Sequence, residues 1–504
     1  MQIRWRLAKN AVVNLARGSA GAIVALLLPP VLIRHMSPIS YAVWVLTLQV
    51  VSYVGFLDFG LQTAIGRYVA LANEKKDAVL RDGIFSTAFA GLTLAAVLGL
   101  VMVTVIAIAS PRIFPSVPTN LLAPMRVALL IAGFSVALGL PASAWNSVFV
   151  GLQRYEIPAI TTSAGKFLSA VGLIWAAISG KSLVFMAIVM AAANLLSYAL
   201  QFGMLQHVAA EITFKAELIT RRLIMELSSY CFSLMVWSFS MLLVNGFDLI
   251  LVGRFQFAAV VAYSVSATLI TFLAGAQQSI FGVIMPHAAE LHARENSEAL
   301  GDLLVKTTKL GVLFLLLTGL PLIVFAHPLI STWIGPQFAQ LGGKILIVLV
   351  IANMVRLTGA PLAFILIGTD QQRLVVLTPI MEGVTNLLFS IGLGMKYGAI
   401  GVAWGTLIGA VAAVLANVCY NLPRVQHSIK CSRLRYVSKG LALPALCGVP
   451  VCLVLPATVL FKSIGTDLIT PAWLTSFCAC AIVIFRTSFK DFRFGLQPAK
   501  NVPR

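Results

Sequence analysis

Apolar stretches long enough to cross a hydrocarbon core of about 30 Å recur fourteen times in this sequence. They lie near 8–34, 40–68, 83–110, 120–150, 158–179, 183–207, 228–253, 258–286, 303–330, 343–367, 374–395, 399–422, 437–461 and 467–486, with short polar breaks between them. In lipid such a run satisfies its backbone only as a helix or in a closed barrel, and runs of this length belong to helices. Composition agrees, since 59% of the 504 residues are hydrophobic and only 11% are charged, where a soluble chain carries about 25% charged. The sequence therefore predicts an all-α polytopic membrane protein with about 14 transmembrane helices.

The 36 Lys and Arg against 17 Asp and Glu leave a formal net charge of +19. A nucleic-acid partner would need basic residues gathered on one soluble face with a binding motif, and neither occurs. Topology accounts for the charge instead, because short cytoplasmic loops carry an excess of Lys and Arg. With the N-terminus inside, 25 of the 36 basic residues fall in cytoplasmic segments, 7 outside and 4 within spans. Both termini are thus expected in the cytoplasm. Arg4, Arg6 and Lys9 resemble a signal peptide's basic region, but Arg17 interrupts the apolar stretch and it runs past Pro30, so an uncleaved helix is expected. No external loop exceeds about a dozen residues, which disfavours an external glycan polymerase or ligase. The seven cysteines (Cys231, Cys419, Cys431, Cys447, Cys452, Cys478 and Cys480) lack the paired spacing of a zinc site or disulfide framework and read as packing residues.

Sliding the chain against itself by 220 residues aligns Arg34 with Arg254, Gly55 with Gly275, Asp82 with Asp302, Gly91 with Gly311, Gly99 with Gly319, Gly139 with Gly359 and Pro141 with Pro361. A three-residue shift then aligns Gly151 with Gly368. Matched Gly and Pro are residues with special backbone meaning. The repeat predicts two six-helix bundles of the same orientation, 1–222 and 223–425, followed by helices 13 and 14 with a tail over 426–504. Parallel repeats about an axis normal to the membrane are a transporter architecture with the substrate path between the halves.

Seven ionisable residues fall inside the expected spans: Arg17, Arg126, Lys166, Arg356, Asp58, Asp248 and Glu382. Each costs on the order of 3 kcal/mol at mid-membrane, so each needs a wet interior or a partner. A charge needed only to build a bundle should recur in both copies. Arg17 aligns with Trp237, Asp58 with Gln278, Asp248 with Leu28 and Arg356 with Val136, so none of these four recurs. That asymmetry favours a functional role. The structural alternatives are snorkelling of Arg17 and Arg126 to headgroups and pairing of Asp58 with Arg67 or Lys9. Arg356 falls near the midplane, where snorkelling is hardest.

Other motifs carry little. His287 and His292 stand five apart beside Pro286, unlike a zinc-protease helix, and a solvated helix end is the expectation. Gly392-Leu-Gly394 lacks the rest of a nucleotide fingerprint and no Walker sequence occurs, so neither a metal nor a cofactor is expected. Gly401, Gly405 and Gly409 stand four apart and read as a helix-packing face. Pro29-Pro30, Pro141, Pro286, Pro321, Pro361 and Pro379 lie in or at the ends of spans, and some of them are expected to mark bends used when the halves rock.

The stretch Leu32–Ala72, carried by Tyr41, Trp44, Asp58, Gly60, Ala64, Arg67 and Tyr68, resembles the opening of bacterial polysaccharide-biosynthesis membrane proteins. These are oligosaccharide (O-antigen-type) flippases of the multidrug/oligosaccharidyl-lipid/polysaccharide exporter superfamily. Phe247-Asp248 through Gly253-Arg254, followed by Ala262-Tyr263-Ser264, resembles the start of the family's second half, while Met36-Ser37-Pro38 and Ala42 depart from its pattern. The resemblance implies flipping of a polyprenyl-pyrophosphate-linked glycan from the inner to the outer leaflet of the cytoplasmic (inner) membrane. It would feed O-antigen, capsule or exopolysaccharide assembly beside a glycan polymerase and chain-length machinery, with no enzyme activity. On that reading Arg17, Lys166 and Arg356 line a cationic cavity between the halves and hold the phosphates. Asp58, Asp248 and Glu382 serve ion coupling or charge pairing, and the halves rock in alternating access. The rival readings are a lipid II flippase, a drug/cation antiporter of the same superfamily, and a membrane glycosyltransferase or polymerase.

Overall fold

The computed structural model describes residues 23–282, 284–371, 377–451, 453–454 and 471–483. Within them the chain is helical throughout, without a strand. Ten of these helices are long and apolar enough to cross a membrane, and two shorter apolar ones, Ile23–His35 and Pro471–Val483, occupy the first and last expected spans. The protein is a multi-pass helical membrane protein.

We number the helices α1 (Ile23–His35), α2 (Pro38–Ser52), α3 (Leu61–Glu74), α4 (Ala78–Ile113), α5 (Thr119–Gly151), α6 (Glu156–Ile178), α7 (Leu183–Val208), α8 (Arg221–Asn245), α9 (Asp248–Phe255), α10 (Val260–Phe281), α11 (Ile284–Ala293), α12 (Ser297–Val324), α13 (Ala326–Ile334), α14 (Ala339–Leu357), α15 (Ala360–Gly368) and α16 (Leu377–Ala416). Side chains in the polar breaks between spans start them. Ser37 accepts from the Ser40 amide at 3.1 Å with Pro38 behind it, Asp77 from Leu80 at 2.9 Å, and Asn296 from Ala299 at 2.9 Å. Each side-chain oxygen satisfies an amide that the first helical turn leaves unpaired.

Several expected spans are broken in the middle, and the breaks fall at glycine more than at proline. α5 and α12 run on through Pro141 and Pro321. By contrast α2 gives way to a 3-10 turn, Tyr53–Asp58, and then to Phe59 at φ 49° and Gly60 at φ 81° before α3 begins. α8 and α9 part at Gly246-Phe247, α14 and α15 at Thr358-Gly359. The loop expected between spans eleven and twelve is reduced to a tight turn at Gly398, where α16 doubles back as two helical strokes and whose φ of 62° and ψ of −140° suit only glycine. There the Gln256 side chain accepts from the Ala399 amide at 2.9 Å.

The chain divides into two compact units. One comprises 1–268, 333–338 and 387–402, the other 269–332, 339–386 and 403–504. In the first, α4 packs along α5 and α5 along α7. Small residues permit the approach, since a Cβ at Gly133 would stand 2.6 Å from Val103. Helices in lipid associate through such close packing because apolar burial alone distinguishes nothing there. In the second, α12 packs on α14 and α11 on α15. Its apolar core gathers Phe281, Leu304, Leu362, Ile365, Leu422 and Tyr436.

One ion pair recurs at the repeat distance. In the first unit Lys215 Nζ meets Asp82 Oδ2 at 2.6 Å, and in the second Arg435 Nη2 meets Asp302 Oδ1 at 2.6 Å. Both partners are displaced by the same 220 residues. Each pair ties the start of one membrane helix to a segment 133 residues downstream. These are the charges a bundle needs twice. Asp82 is 2% exposed and also has the Arg81 Nε at 3.5 Å, whereas the Asp302 side chain is 67% exposed. Asp82→Asn should therefore lower stability by about 1–3 kcal/mol, because buried Arg81 loses one of its two carboxylate neighbours and keeps only Glu211. Asp302→Asn should cost less than about 1 kcal/mol. Melting of the two purified variants checks the contrast, and equal losses would refute it.

Candidate functional site

In the second unit, Arg356 occupies the last turn of α14, just before the Thr358-Gly359 break. A break releases helix carbonyls into the apolar interior, and each needs a donor. Gln277 of α10 supplies one, donating from Nε2 to the Leu357 carbonyl at 3.0 Å. Arg356 Nη2 donates to Asn353 Oδ1, one turn earlier, at 2.6 Å, and Asn353 donates on to the Leu349 carbonyl at 2.9 Å. Glu382 of α16 places Oε1 4.0 Å from Arg356 Nε. That separation is an electrostatic contact and not a formed hydrogen bond. Both side chains are largely enclosed, at 18% and 9% exposure. A Cβ at Gly409 would stand 3.1 Å from the Glu382 carbonyl, so this glycine allows the return stroke of α16 to pack against the glutamate's own turn.

The polar character extends along the same unit. A π-helical turn, Asn417–Asn421, places Asn421 so that Nδ2 donates to Thr378 Oγ1 at 2.6 Å and to Asn417 Oδ1 at 2.7 Å. Thr378 precedes Glu382 by one turn, and Asn417 packs against Gly359 at the α14–α15 break. Gln277 Oε1 and Asn421 Oδ1 are buried acceptors without a hydrogen-bond partner among the described residues. Most buried polar atoms are satisfied, so these two acceptors add unpaired polarity close to a buried ion pair.

In the first unit, two breaks carry the two aspartates. Asp58 ends the 3-10 turn and accepts from the Gly60 amide at 3.2 Å, half-buried. Asp248 opens α9, is 9% exposed, and accepts from the Tyr263 hydroxyl at 3.2 Å. The carbonyl freed at Gly246 is taken by the Tyr53 hydroxyl and by Gln49 Nε2, the latter at 3.1 Å. Beside these breaks lies an apolar cavity of about 500 Å³, lined among others by Phe56, Met102, Ile106, Phe239 and Phe247. It offers no group for an anion.

No protein-family model matches the sequence. Among curated proteins, the uncharacterized membrane protein EpsK of Bacillus subtilis (strain 168) is 21% identical over 426 residues, covering 82% of this chain and 81% of that protein. Among solved structures, a lipid II flippase, MurJ, in its inward closed conformation superposes with a TM-score of 0.71 over 96% of this chain and 100% of that one, at 14% identity. The chain has the fold of MOP-superfamily transporters. An inward-facing multidrug-resistance MATE transporter of that superfamily superposes with a TM-score of 0.64, at 15% identity over 83% of this chain and 98% of the other.

Within this MOP fold the sequence-predicted residues fall into three groups. Arg356 and Glu382 are brought together. Asp58 and Asp248 each sit at a helix break of the first unit. Lys166 stands on an exposed part of α6, and Arg17 lies outside the described residues. Arg67, one candidate partner for Asp58, instead lies over the Tyr230 ring at 5.1 Å. Sequence reasoning missed Gln277, Asn353, Thr378, Asn417 and Asn421. Their spacing held a signal, because Asn353 precedes Arg356 by three residues, and Thr378 precedes Glu382, and Asn417 Asn421, by four. Those intervals put polar groups on one helix face.

Proposed function

We propose that the protein is a flippase that moves a polyprenyl-pyrophosphate-linked oligosaccharide from the inner to the outer leaflet of the bacterial cytoplasmic membrane, for O-antigen, capsule or exopolysaccharide assembly. The observation that carries the reading is the enclosed Arg356–Glu382 pair at a helix break, within a fold shared with a lipid II flippase. A planar guanidinium presents five N–H donors in a fork that suits phosphate oxygens. An incoming pyrophosphate competes with Glu382 for that fork, and the 4.0 Å contact is weak enough to yield. Arg17 and Lys166 supply further positive charge along the route, and Asp58 and Asp248 are the groups available for a coupling ion. The apolar tail stays in the bilayer, since only the phosphates and sugars need a polar path.

Both termini face the cytoplasm, and the halves 1–222 and 223–425 alternate access by rocking. The product passes to a glycan polymerase and its chain-length machinery, and the chain itself performs no chemistry on the glycan. Reconstituted proteoliposomes should move a fluorescent short-chain polyprenyl-pyrophosphoryl oligosaccharide into the opposite leaflet, where a membrane-impermeant quencher reaches it. Unchanged quenching relative to empty liposomes refutes the reading. The alternative reading is a lipid II flippase, the activity in the name of the structural neighbour MurJ. Rescue of a strain depleted of its lipid II flippase distinguishes the two.

A further inference from the structure

α3 and α8 bring an arginine and two tyrosines together in the first unit. Arg67 Cζ stands 5.1 Å from the centre of the Tyr230 ring and 5.9 Å from that of Tyr68. The two rings meet edge to face, with centroids 5.8 Å apart and planes at 86°. Arg67 is exposed and both tyrosines are half-buried. One turn before Arg67 stands exposed Thr63, and one turn before Tyr230 exposed Glu226. At 1.5 Å per residue, Arg67 lies about 10 Å from Glu74 at the end of α3, and Tyr230 about 14 Å from Arg221 at the start of α8.

By the expected topology Arg67 and Tyr68 close the span 40–68 and Tyr230 stands near the start of the span 228–253, with Glu226 just before it, so this exposed face meets the cytoplasmic headgroup layer, where a lipid-linked glycan carries its phosphate and first sugar before it is moved. The chemistry is also specific. Aromatic faces pack against the C–H face of a pyranose ring and keep a hydroxyl for its edge, a carboxylate such as Glu226 accepts from sugar hydroxyls, and a guanidinium beside a ring still has N–H donors for phosphate.

We propose that Arg67, Tyr68 and Tyr230, with Glu226, form a docking platform for a sugar phosphate, receiving the first sugar of the lipid-linked glycan and the phosphate attached to it. This rests on the flippase reading and names the part of the cargo read first. The aromatic rings select for the sugar and Arg67 for the phosphate, so the two contributions separate.

The test titrates the purified full chain in neutral detergent with citronellyl-pyrophosphoryl-N-acetylglucosamine and with citronellyl pyrophosphate lacking the sugar. The wild type should prefer the sugar-bearing probe about tenfold, a difference of about 1.4 kcal/mol. Tyr230→Leu should remove that preference, Tyr230→Phe should keep it, and Arg67→Gln should weaken both probes about tenfold. If Tyr230→Leu does not fold, Tyr68→Leu replaces it. A folded leucine variant that retains the preference, a wild type without one, or displacement of the sugar-bearing probe by phosphatidylglycerol would each overturn the platform. The last result would assign the face to a lipid headgroup. Platform-dependent binding in a protein that moves no probe across proteoliposomes overturns the flippase reading alone, whereas flipping with unaltered probe selectivity in the variants overturns the platform alone.

Discussion

Arg356→Ala is expected to lower the initial flipping rate at least about a hundredfold, because two charge-assisted hydrogen bonds to phosphate are worth roughly 3 kcal/mol together. It should also lower stability. Glu382, with a side chain 9% exposed and Arg356 Nε 4.0 Å away, would be left as a charge without its counter-ion, at a cost of about 3–5 kcal/mol. Loss of transport through mere unfolding therefore has to be separated from loss of the site. The double variant Arg356→Met with Glu382→Leu does this, since replacing a buried pair by apolar residues of similar volume is often neutral or stabilising. It should melt near the wild-type temperature and still fail to transport. Arg356→Lys should fall between, keeping the charge but losing the planar fork. Initial rates in proteoliposomes and melting in detergent supply the two readouts. A double variant that transports at the wild-type rate would remove Arg356 from the path.

The second large effect concerns the driving force. A pyrophosphate moving about two negative charges outward across an inside-negative potential of 100 mV releases roughly 4.6 kcal/mol. That corresponds to a steady-state outer-to-inner ratio on the order of a thousandfold. Proteoliposomes carrying a potassium gradient and valinomycin should therefore accumulate the probe in the outer leaflet, lose the asymmetry when the potential is collapsed, and reverse it when the gradient is inverted. A distribution indifferent to potential would mean that the cargo's charge is balanced during the crossing. Asp58 and Asp248, each at a break in a membrane helix of the first unit, would then become the first positions to test for a co-moving cation.

The helices were legible because the membrane makes them so, and every expected span overlaps a described helix. What the hydropathy pattern could not locate were the breaks at Gly60, Gly246 and Gly359. An apolar run looks the same whether or not its hydrogen bonds continue; α5 and α12 carry Pro141 and Pro321 inside a continuous helix, while Pro361 stands in the first turn after the Gly359 break. The repeat sorts the charges into two kinds. Asp82 and Asp302 recur and form matching tethers, while Arg356, which has no counterpart, pairs with Glu382 at a break. The asparagines and glutamine around that pair escaped notice, since neutral amides cost little on a hydropathy scale and reveal their role only when a neighbouring helix supplies the partner.

The Gly246 carbonyl, with donors from both Tyr53 and Gln49, has redundancy as its consequence. A carbonyl oxygen has two lone pairs, and one donor suffices to keep it out of debt to the lipid. Removing either side chain alone should therefore change stability by less than about 1 kcal/mol. Position-by-position scanning would score both residues as dispensable. Only Tyr53→Phe combined with Gln49→Leu would bare the carbonyl, at several kcal/mol in the membrane interior, and so expose a dependence that neither position shows by itself.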